Sequence, residues 1–382
     1  MKDIAIRPLT IKDLKRMCNL IETRDDIDPK DAEKRLRLVE WVAFKNPFAN
    51  GEPTYFVADD GRKIVAHLGR MPMEFMINGR ICKGYFVHDL YVDPEYRANG
   101  QGFFVCMSLY KAIETNSDSF CCMVWTAHLN LELQRLRGYH ELGGDRYYKF
   151  FNPYEKMTKV IKQNQMAKLM GFILKILLSF ADAILINLIP AGVKVTKTDK
   201  FDSRFDKLDP DTFSKIGICS NKTRKYLNWR FTGKPFGNME VLVAEKAKSI
   251  LGFAVVSVEN DGGYLQGVLV DIMAHPDDAR TISSLFKAAV KYFRRKKVDW
   301  IRCCLTDKRF ARILKRFLFF KDVLYKEPVM LANLDKCDVS ELLTDIKRWH
   351  LTYGASDDLM LDVLHEGDLT PRSRYPSRIS AL

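Results

Sequence analysis

Short β-rich runs alternate with amphipathic helical stretches along the first part of the chain. Ile4 to Arg7 is followed by a helical pattern near Ile11 to Thr23, and apolar runs then follow at Tyr55 to Ala58, Ile64 to Met71 and Tyr85 to Val92. Alternation with a period of two favours strands, and a period of 3.6 favours helices. The order of elements therefore predicts an α/β (α+β) fold.

Two turn signals separate the apolar runs. Asp59-Asp60-Gly61 lies between two of them, and Asn78-Gly79 separates Met73 to Ile77 from the run that begins near Ile81. Both are typical of β-hairpins, because Asp, Asn and Gly tolerate the left-handed backbone of a tight turn. We expect a mostly antiparallel meander.

An internal repeat appears when the sequence is shifted by 182 positions, from 92 to 274. Val92-Asp93-Pro94 then falls on Ala274-His275-Pro276, and Cys121-Cys122 falls on Cys303-Cys304. On the intervening helical pattern, the shift places Phe103, Met107 and Tyr110 on Leu285, Ala289 and Tyr292. A duplicated fold explains this recurrence, although any two α/β segments can be aligned somewhere.

A second similarity lies upstream at a slightly different offset, where Trp41 to Phe48 resembles Trp229 to Phe236. A chain of 382 residues also exceeds one usual domain. We therefore predict two mostly antiparallel sheets flanked by helices, in domains at residues 1–152 and 201–334. Residues 153–200 form a connector helix and linker in this prediction, and 335–382 a C-terminal extension.

The connector contains a strongly apolar stretch, Met166 to Val193, which is interrupted by Lys168, Lys175 and Asp182. No uncharged run there approaches the roughly 20 residues that span a bilayer. Two interpretations remain open: a helix packed against both domains, or a peripheral helix at residues 155–193 in a membrane interface. Pro190-Ala191-Gly192 is expected to end it, with a linker to about Lys200.

The net charge of +13 is compatible with anionic ligands, nucleic acid or an anionic membrane surface. The densest basic cluster contains Lys291, Arg294, Arg295, Lys296 and Lys297. No recognisable nucleic-acid module surrounds it, so a solvated helix end is the better interpretation.

The N-terminus is charged and has no apolar core of signal-peptide length, which predicts a cytoplasmic location, with the inner face of the membrane as the peripheral alternative. The nine cysteines lack zinc spacing, and several lie in apolar runs. We expect them to be structural thiols and predict no metal site.

A phosphate-binding pattern follows the run that ends at Val92. After Asp93-Pro94-Glu95-Tyr96 comes Arg97-Ala98-Asn99-Gly100-Gln101-Gly102, which opens an amphipathic helix. A helix N-terminus offers unpaired N–H groups to an anion, and glycines let a diphosphate approach the backbone. Arg-x-x-Gly-x-Gly alone is a weak pattern, and its position between strand and helix gives it weight.

Residues 92–102 resemble the acyl-CoA motif of the GNAT (Gcn5-related N-acetyltransferase) superfamily. The resemblance implies a GNAT fold, acetyl-CoA or another acyl-CoA as co-substrate, and no metal. It also implies that loop N–H groups hold the pyrophosphate, while backbone groups near the strand end pair with the pantetheine arm. The implied cofactor-binding residues are Leu90, Tyr91, Val92, Arg97, Ala98, Asn99, Gly100, Gln101, Gly102 and Asn130.

The resemblance also suggests a general acid. Leu136 to Gly143 is similar to a family segment whose tyrosine protonates the departing thiolate, which makes Tyr139 the candidate. The alternative is a tyrosine that packs between helix and sheet. Asn130 matches the family's asparagine only if two residues are inserted.

His88 and Asp89 are candidates for the base that accepts the amine proton. Adjacent side chains on a regular strand point to opposite faces, so at most one is expected to face the acceptor. The unperturbed pKa of His, about 6.5, suits the task. A core or surface histidine is the alternative, and many family members use only a chain of water molecules.

The second copy departs from the motif where the diphosphate would lie. His275 to Ile282 keeps a proline but has no glycine, and it carries Asp277 and Asp278. The region of Leu314 to Phe320 offers no tyrosine in place of Tyr139. We expect a degenerate GNAT-like domain with a structural or acceptor-binding role.

The function that these features favour is N-acyl transfer, most simply acetyl transfer, from coenzyme A to a primary amine in a ternary complex. By analogy, the acceptor is a small amine such as an amino sugar or cell-envelope precursor. Two alternatives remain: an aminoacyl-tRNA-dependent transferase with two GNAT-like domains, and a non-catalytic acyl-CoA-binding regulator.

Overall fold

The computed structural model describes residues 4–24, 27–115, 119, 121–125, 128–152, 165–189, 192–208, 210–237, 239–261, 264–327, 329–332 and 340–355. For 121–125, 128–130, 165–168, 183, 185, 210, 261, 324–327, 332 and 340, it describes the backbone alone.

The first part of the chain contains a helix pair, a strand meander and a second group of helices and strands. These are β1 (Ala5–Pro8), α1 (Leu14–Ile21), α2 (Ala32–Lys45), β2 (Tyr55–Asp59), β3 (Ile64–Ile77), β4 (Arg80–Val92), α3 (Pro94–Ala98), α4 (Gly102–Thr115), β5 (Cys121–Trp125), α5 (His128–Leu136), β6 (His140–Glu141) and β7 (Gly144–Phe150).

The second part begins with the longest described helix. Its elements are α6 (Gln165–Leu188), β8 (Lys194–Thr198), α7 (Pro210–Ile216), β9 (Ile218–Ser220), α8 (Arg224–Leu227), β10 (Met239–Lys246), β11 (Ser249–Asp261), β12 (Tyr264–Ala274), α9 (Ala279–Arg295), β13 (Trp300–Cys304), α10 (Lys308–Lys315), β14 (Phe320–Glu327), β15 (Val329–Ala332) and α11 (Ser340–Leu343).

The strands form two mostly antiparallel sheets. Among the described residues, the first sheet has the order β1-β2-β3-β4-β5-β15-β6, with β9 beside β3, and the second has the order β14-β7-β13-β12-β11-β10-β8. Each contains a three-stranded antiparallel meander followed by a helix and a parallel strand, with β4 beside β5 and β12 beside β13. The predicted fold class is confirmed.

The predicted Asn78-Gly79 hairpin is also confirmed. Asn78 has φ 48° and Gly79 has φ 81°, and they join β3 to β4 in register Ile77↔Arg80. Positive φ at both central residues is the geometry that matches the twist of the flanking strands.

Alternating strand residues divide the core into three layers. In β2, Tyr55 and Val57 face a central core that both sheets share, whereas Phe56 and Ala58 face the α4 side. In β10, Val243 faces that same central core, and its neighbours face α9. Because both faces of these strands are buried, they are apolar throughout and not alternating in sequence.

The sheets cross the predicted domain boundaries at two strands. β7 belongs to the predicted first domain but pairs with β13 and β14 of the second sheet. β15 belongs to the predicted second domain but pairs with β5 and β6 of the first sheet. Each sheet is therefore completed by a strand from the other part of the chain.

Two further segments differ from the predicted organisation. Residues 194–198 were expected in a linker, but they form β8, which pairs with β10 at the edge of the second sheet. Part of the expected C-terminal extension, residues 349–355, is buried against the second sheet. Both extend the second structural unit beyond 201–334.

The repeat is in register at β4 and β12 but not beyond them. Gly84 and Gln266, which are 182 positions apart, begin the parallel pairings with Cys121 and Trp300. Those two partners are 179 positions apart, so the expected match of Cys121-Cys122 with Cys303-Cys304 is wrong. The helix positions that the shift matches also differ in environment, because Phe103 is exposed whereas Leu285 is buried.

The upstream similarity corresponds to a direct contact. The rings of Trp41 and Trp229 stack with centroids 4.5 Å apart and planes at 20°. The two similar segments therefore meet in the central core.

Candidate active site

The predicted phosphate loop joins two helices. Arg97 and Ala98 end α3, and α4 begins at Gly102. Gly100 has φ 78°, which disfavours other residues, and a Cβ on Gly102 would lie 3.2 Å from the Cα of Arg97. The local backbone geometry therefore favours glycine at both positions. The first-turn N–H groups of α4 point out of its N-terminus.

Side chains of the loop partly order it. Asn99 Oδ1 accepts a hydrogen bond from the Gln101 backbone N–H at 3.1 Å. The Arg97 guanidinium lies 5.5 Å from the centroid of the Tyr91 ring. The loop itself is exposed from Arg97 to Gly100. Because the N–H groups of Arg97, Asn99 and Gly100 donate to backbone carbonyl oxygens, the N–H groups open to an anion are those at the start of α4.

The strand that precedes the loop loses its parallel partner before it ends. The pairing of β4 with β5 runs from Gly84↔Cys121 to Val87↔Val124. β4 then continues to Val92, whereas β5 ends one residue later, at Trp125. Among the described residues, Leu90, Tyr91 and Val92 therefore have an edge without a β5 partner, beside the phosphate loop.

A β-bulge lies where this divergence starts. Gly69 pairs with His88 and His67 pairs with Tyr91, so Asp89 and Leu90 together oppose one residue of β3. Asp89 has φ 55°, an uncommon conformation for a residue other than glycine. Such a bulge redirects the backbone and side chains next to it.

The bulge corrects the expectation that His88 and Asp89 face opposite sides. His88 Nδ1 lies 3.5 Å from the Tyr55 hydroxyl, which also donates to Asp89 Oδ2 at 3.4 Å. Both side chains therefore reach the same atom, because Asp89 breaks the two-residue period of the strand.

Asp89 is held by cations. Arg24 and Arg35 contact its Oδ1 at 3.1 and 2.5 Å, and its side chain is 2% exposed. Burial opposes the charge, but Arg35 and Arg24 hold the pKa of Asp89 well below its usual range. Asp89 is thus an ionised, paired carboxylate.

Two buried histidines complete this cluster. Burial lowers the pKa of His88 to about 3 and that of His67 to about 4. Both rings are neutral at pH 7, and neither has the proton affinity of an exposed imidazole. A Cβ on Gly69 would collide with the His88 ring, so this glycine makes room for it.

Tyr139 lies between helix and sheet, with its hydroxyl already engaged. It is 5% exposed and donates to Glu114 Oε1 at 2.9 Å. Arg137 also pairs with Glu114. Glu114 is twelve residues along α4 from Gly102, about 18 Å at 1.5 Å per residue. The Tyr139 hydroxyl is therefore anchored at the end of α4 opposite the phosphate loop.

No protein-family model matches the sequence, and a comparison with curated proteins finds no match. Solved structures are similar in fold. A GCN5-related N-acetyltransferase from Anabaena variabilis has a TM-score of 0.59 and 13% identity, over 88% of this chain and 74% of that one. Saccharomyces cerevisiae N-myristoyltransferase with bound myristoyl-CoA has a TM-score of 0.52 and 13% identity, over 87% and 83%.

A probable N-acyltransferase from Enterococcus faecalis is similar to the same extent, with a TM-score of 0.55 and 10% identity over 88% of this chain and 74% of that one. This chain has the GNAT fold. The motif, residues 92–102, lies at the end of β4, in α3 and at the start of α4. The fold that the resemblance implied is confirmed.

The second GNAT-like sheet differs at the corresponding loop. Asp278 caps α9, since its Oδ1 accepts from the Thr281 backbone N–H at 3.0 Å and its Oδ2 from the Thr281 hydroxyl at 2.6 Å. A carboxylate thus occupies the helix N-terminus where a diphosphate would bind in a GNAT motif.

The opening of the second sheet is filled by the chain itself. The pairing of β12 with β13 ends at Leu269↔Cys303. Beyond it, His350 Nε2 lies 2.7 Å from the Ile272 carbonyl oxygen, and the Leu351 N–H donates to Thr306 Oγ1 at 2.9 Å. Residues 349–352 therefore bond to β12 and to the segment that follows β13.

Asp271, which the shift of 182 places on Asp89, is buried in that region. It pairs with Lys222 and accepts from the Thr352 hydroxyl at 2.8 Å. Each sheet thus holds a buried carboxylate near the register shift of one hairpin, which is β3–β4 in the first sheet and β11–β12 in the second. The sequence analysis missed this correspondence, although both acids interrupt otherwise apolar runs.

Sequence analysis also missed most of the cluster around Asp89. Tyr55, His67, Arg24 and Arg35 come from β2, β3 and the segment around α1 and α2. One sequence signal could have indicated the cluster: an ionisable residue, such as His67, inside an otherwise apolar strand. Asn130 lies in α5, but its side chain is outside the described residues.

Of the cysteines whose side chains the structure describes, Cys219, Cys303 and Cys304 are buried, and Cys18, Cys82 and Cys106 are partly exposed. Burial raises the pKa of Cys219 to about 12 and also raises that of Cys303. The described residues contain no group of three or more His, Cys, Asp or Glu side chains placed to hold a metal ion.

Proposed function

We propose that this protein is an acyl-CoA-dependent N-acyltransferase that uses the first sheet as its active site. The observation that carries the proposal is the exposed glycine loop at the N-terminus of α4, directly after the part of β4 that has no β5 partner. Solved acyltransferases with the same fold support it, including one with bound myristoyl-CoA.

In this proposal, the pyrophosphate binds at the N-terminus of α4, through first-turn N–H groups that begin at Gln101 and Gly102. The Gln101 N–H then exchanges its hydrogen bond with Asn99 Oδ1 for one with a phosphate oxygen. The unpartnered edge of Leu90 to Val92 pairs with the pantetheine arm as another strand would. The thioester carbonyl then lies near the bulge at Asp89. Binding of this kind positions the acyl carbon without a covalent enzyme intermediate.

The amine nitrogen attacks the thioester carbonyl, a C–N bond forms, and the C–S bond breaks as the tetrahedral intermediate collapses. The nitrogen loses one proton, and the thiolate gains one. His88 is a weak acceptor at pH 7 because burial lowers its pKa to about 3. We therefore assign proton removal to water, with Asp89 and its arginines fixing the bulge.

Tyr139 stays the candidate for the proton donor, although its hydroxyl donates to Glu114. Donation to a thiolate requires that this hydrogen bond break when the donor binds. Tyr96→Phe is a matched control for Tyr139→Phe, because the Tyr96 hydroxyl also donates to a carboxylate, that of Asp60, at 2.7 Å. If Tyr139→Phe and Tyr96→Phe leave the turnover number equally unchanged, Tyr139 is removed from the mechanism.

The first experiment is calorimetric titration of the full chain with acetyl-CoA and myristoyl-CoA. We expect one site per chain, and loss of binding in Gly100→Val, since a β-branched residue is strained at φ 78°. Gly61→Val is the control, because Gly61 has φ 84° in a surface turn with open space around it.

The two glycine variants separate a site effect from general backbone strain. Equal loss of affinity in both would contradict the loop assignment, and no binding by the unaltered chain would remove the acyl-CoA proposal. Binding without release of free thiol in a screen of amino sugars and other primary amines would favour a regulatory binding protein instead.

A further inference from the structure

The helix α6 presents a broad apolar face to solvent. Only a narrow stripe is covered, in which Gly171, Asp182 and Ile186 are buried. Among the side chains of α6 that the structure describes, Leu178 is half-buried, and ten large apolar side chains are between 37% and 70% exposed: Leu169, Met170, Phe172, Ile173, Leu174, Ile176, Leu177, Phe180, Ile184 and Leu188. A contiguous exposed apolar surface of this kind marks an interaction site.

By length and composition, residues 169–188 would also be sufficient to cross a membrane, with a mean hydropathy of 2.2. The contacts of the helix argue for a different orientation. Lys149 of β7 pairs with Asp182 and donates to the Phe317 carbonyl oxygen at 2.9 Å. Lys287 of α9 donates to the Ile189 carbonyl oxygen at 2.6 Å. The helix is thus held along the second sheet from 182 to 189.

A row of cations borders the apolar face. Lys287, Lys291 and Arg294 lie at positions i, i+4 and i+7 of α9, so they share one helix face. Lys287 reaches one end of α6, and Arg294 lies beside its middle. The helix α9 contains no acidic residue to offset them.

A groove of about 240 Å³ lies between the two helices. Its cations are Lys175, Arg294 and Lys297, and Ser179 adds a hydroxyl. Two carboxylates also line it: Asp182 is neutralised by Lys149, and Asp299 accepts from the Asn152 side chain at 3.1 Å. Outside the buried pair, three cations face one carboxylate, which favours an anion.

We propose that α6 binds in the plane of an anionic phospholipid bilayer, with its apolar face among the acyl chains and the basic row of α9 and the groove on lipid phosphates. An apolar face bordered by cations is the arrangement that such a surface requires. A second copy of the chain fits less well, because a symmetric pair would bring two basic rows together.

The test is flotation of the full chain with vesicles of phosphatidylcholine, alone or with about 30 mol% phosphatidylglycerol. We expect binding to the anionic vesicles, weakened by about 0.5 M salt because salt screens the phosphate contacts. The double variant Leu177→Glu, Phe180→Glu should lower the vesicle partition coefficient about tenfold or more. Its control is Leu136→Glu, Val323→Glu, whose side chains are each 85% exposed elsewhere.

A second pair of variants tests the basic border. The double variant Lys175→Glu, Arg294→Glu should abolish the preference for anionic vesicles. Its control is the double variant Lys12→Glu, Lys15→Glu, which lies near the N-terminus and changes the net charge equally. The control should keep the preference. Circular dichroism of each variant verifies folding.

Three results would overturn the proposal. One is no binding of the unaltered chain to anionic vesicles. Another is that the chain expressed in cells stays in the membrane pellet after extraction at about pH 11. That result would indicate a helix that spans the membrane. The third is a dimer by sedimentation that Leu177→Glu, Phe180→Glu converts to a monomer without vesicle binding, which would assign the face to a second copy.

Discussion

Asp89 combines an uncommon backbone conformation with a buried charge. Its carboxylate pairs with both Arg24 and Arg35, which are almost fully buried. Removing one member of a buried ionic group leaves an uncompensated charge, which costs far more than a surface pair.

We predict that Asp89→Asn lowers the free energy of unfolding by about 3–5 kcal/mol. Asn tolerates a positive φ nearly as well as Asp, so the substitution isolates the charge. Denaturant unfolding measures the change. Glu132→Gln is the control, since the Glu132 side chain is 76% exposed and pairs with Arg135, and we expect a change within about 1 kcal/mol.

The buried histidines predict a pH dependence of stability. The folded-state pKa values are lowered to about 4 for His67 and about 3 for His88, against about 6.5 in an unfolded chain. Below pH 6.5, the unfolded state therefore binds protons that the folded state does not, and stability falls with falling pH. At pH 5, the loss is about 2 kcal/mol for each histidine.

Unfolding measured from pH 8 to pH 5 tests this dependence. His67→Gln, His88→Gln should flatten the slope, whatever its effect on stability at pH 8. His140→Gln, in which an exposed histidine is replaced, should leave the slope unchanged. A slope that survives in the double variant would refute the assignment to these two histidines.

At the scale of residues, the sequence predicted the phosphate loop because glycine at a helix start has a direct backbone consequence. It did not predict the cluster around Asp89. The opposite-face argument for His88 and Asp89 assumed a regular strand, and the bulge between His67 and Gly69 removes that regularity. The sequence around His67 and Gly69 contains no pattern that predicts a β-bulge at this position.

Helix α6 is attached to the second sheet by one buried ionic group. Lys149 is 2% exposed, and burial lowers its pKa despite the pairing with Asp182. Undocking of α6 would therefore leave Lys149 with the Phe317 carbonyl oxygen but without its carboxylate partner. Since β7 carries Lys149, helix and strand depend on each other.

We predict that Asp182→Ala lowers the free energy of unfolding by about 3–5 kcal/mol and accelerates hydrogen exchange in residues 179–188. Lys149→Met combined with Asp182→Leu should restore most of the stability, because an apolar pair has no charge to bury. Lys175→Ala, on an exposed position of the same helix, is the control. Failure of the double variant to recover would locate the effect in packing and not in charge.

At the scale of elements, hairpins and long helices were predicted well because Asn-Gly turns and extended apolar periodicity are local signals. Strand β8 was missed: Lys194 to Thr198 is short and mostly polar, as suits an edge strand. The repeat was recognised, but its register failed after β12, since loops and helix ends change length more freely than a paired hairpin.

The exchange of β7 and β15 makes each sheet dependent on the other part of the chain. A fragment of residues 1–152 lacks β15 and β9, and it exposes β7 without partners. We predict that 1–152 and 153–382 are each insoluble or unfolded alone, whereas co-expression yields a soluble complex. Circular dichroism and size-exclusion chromatography test this. A monomeric, cooperatively folded 1–152 would show that the exchange is dispensable.

At the scale of the whole molecule, the sequence predicted two sheets of one fold class but not their shared strands. Pairing between β5 and β15 joins residues about 200 positions apart, and it leaves no periodicity along the chain. The same reason hid residues 349–352, whose position is set by the opening of a distant sheet and not by local propensity.

The divergence between β12 and β13 determines how many donor molecules one chain can bind. Because residues 349–352 occupy the divergence of the second sheet, the described part of the chain offers one place for the proposed acyl donor and no equivalent second site. Saturation by the donor should therefore be hyperbolic, with a Hill coefficient of about 1, and any sigmoidal response would have to arise between chains or from the acceptor.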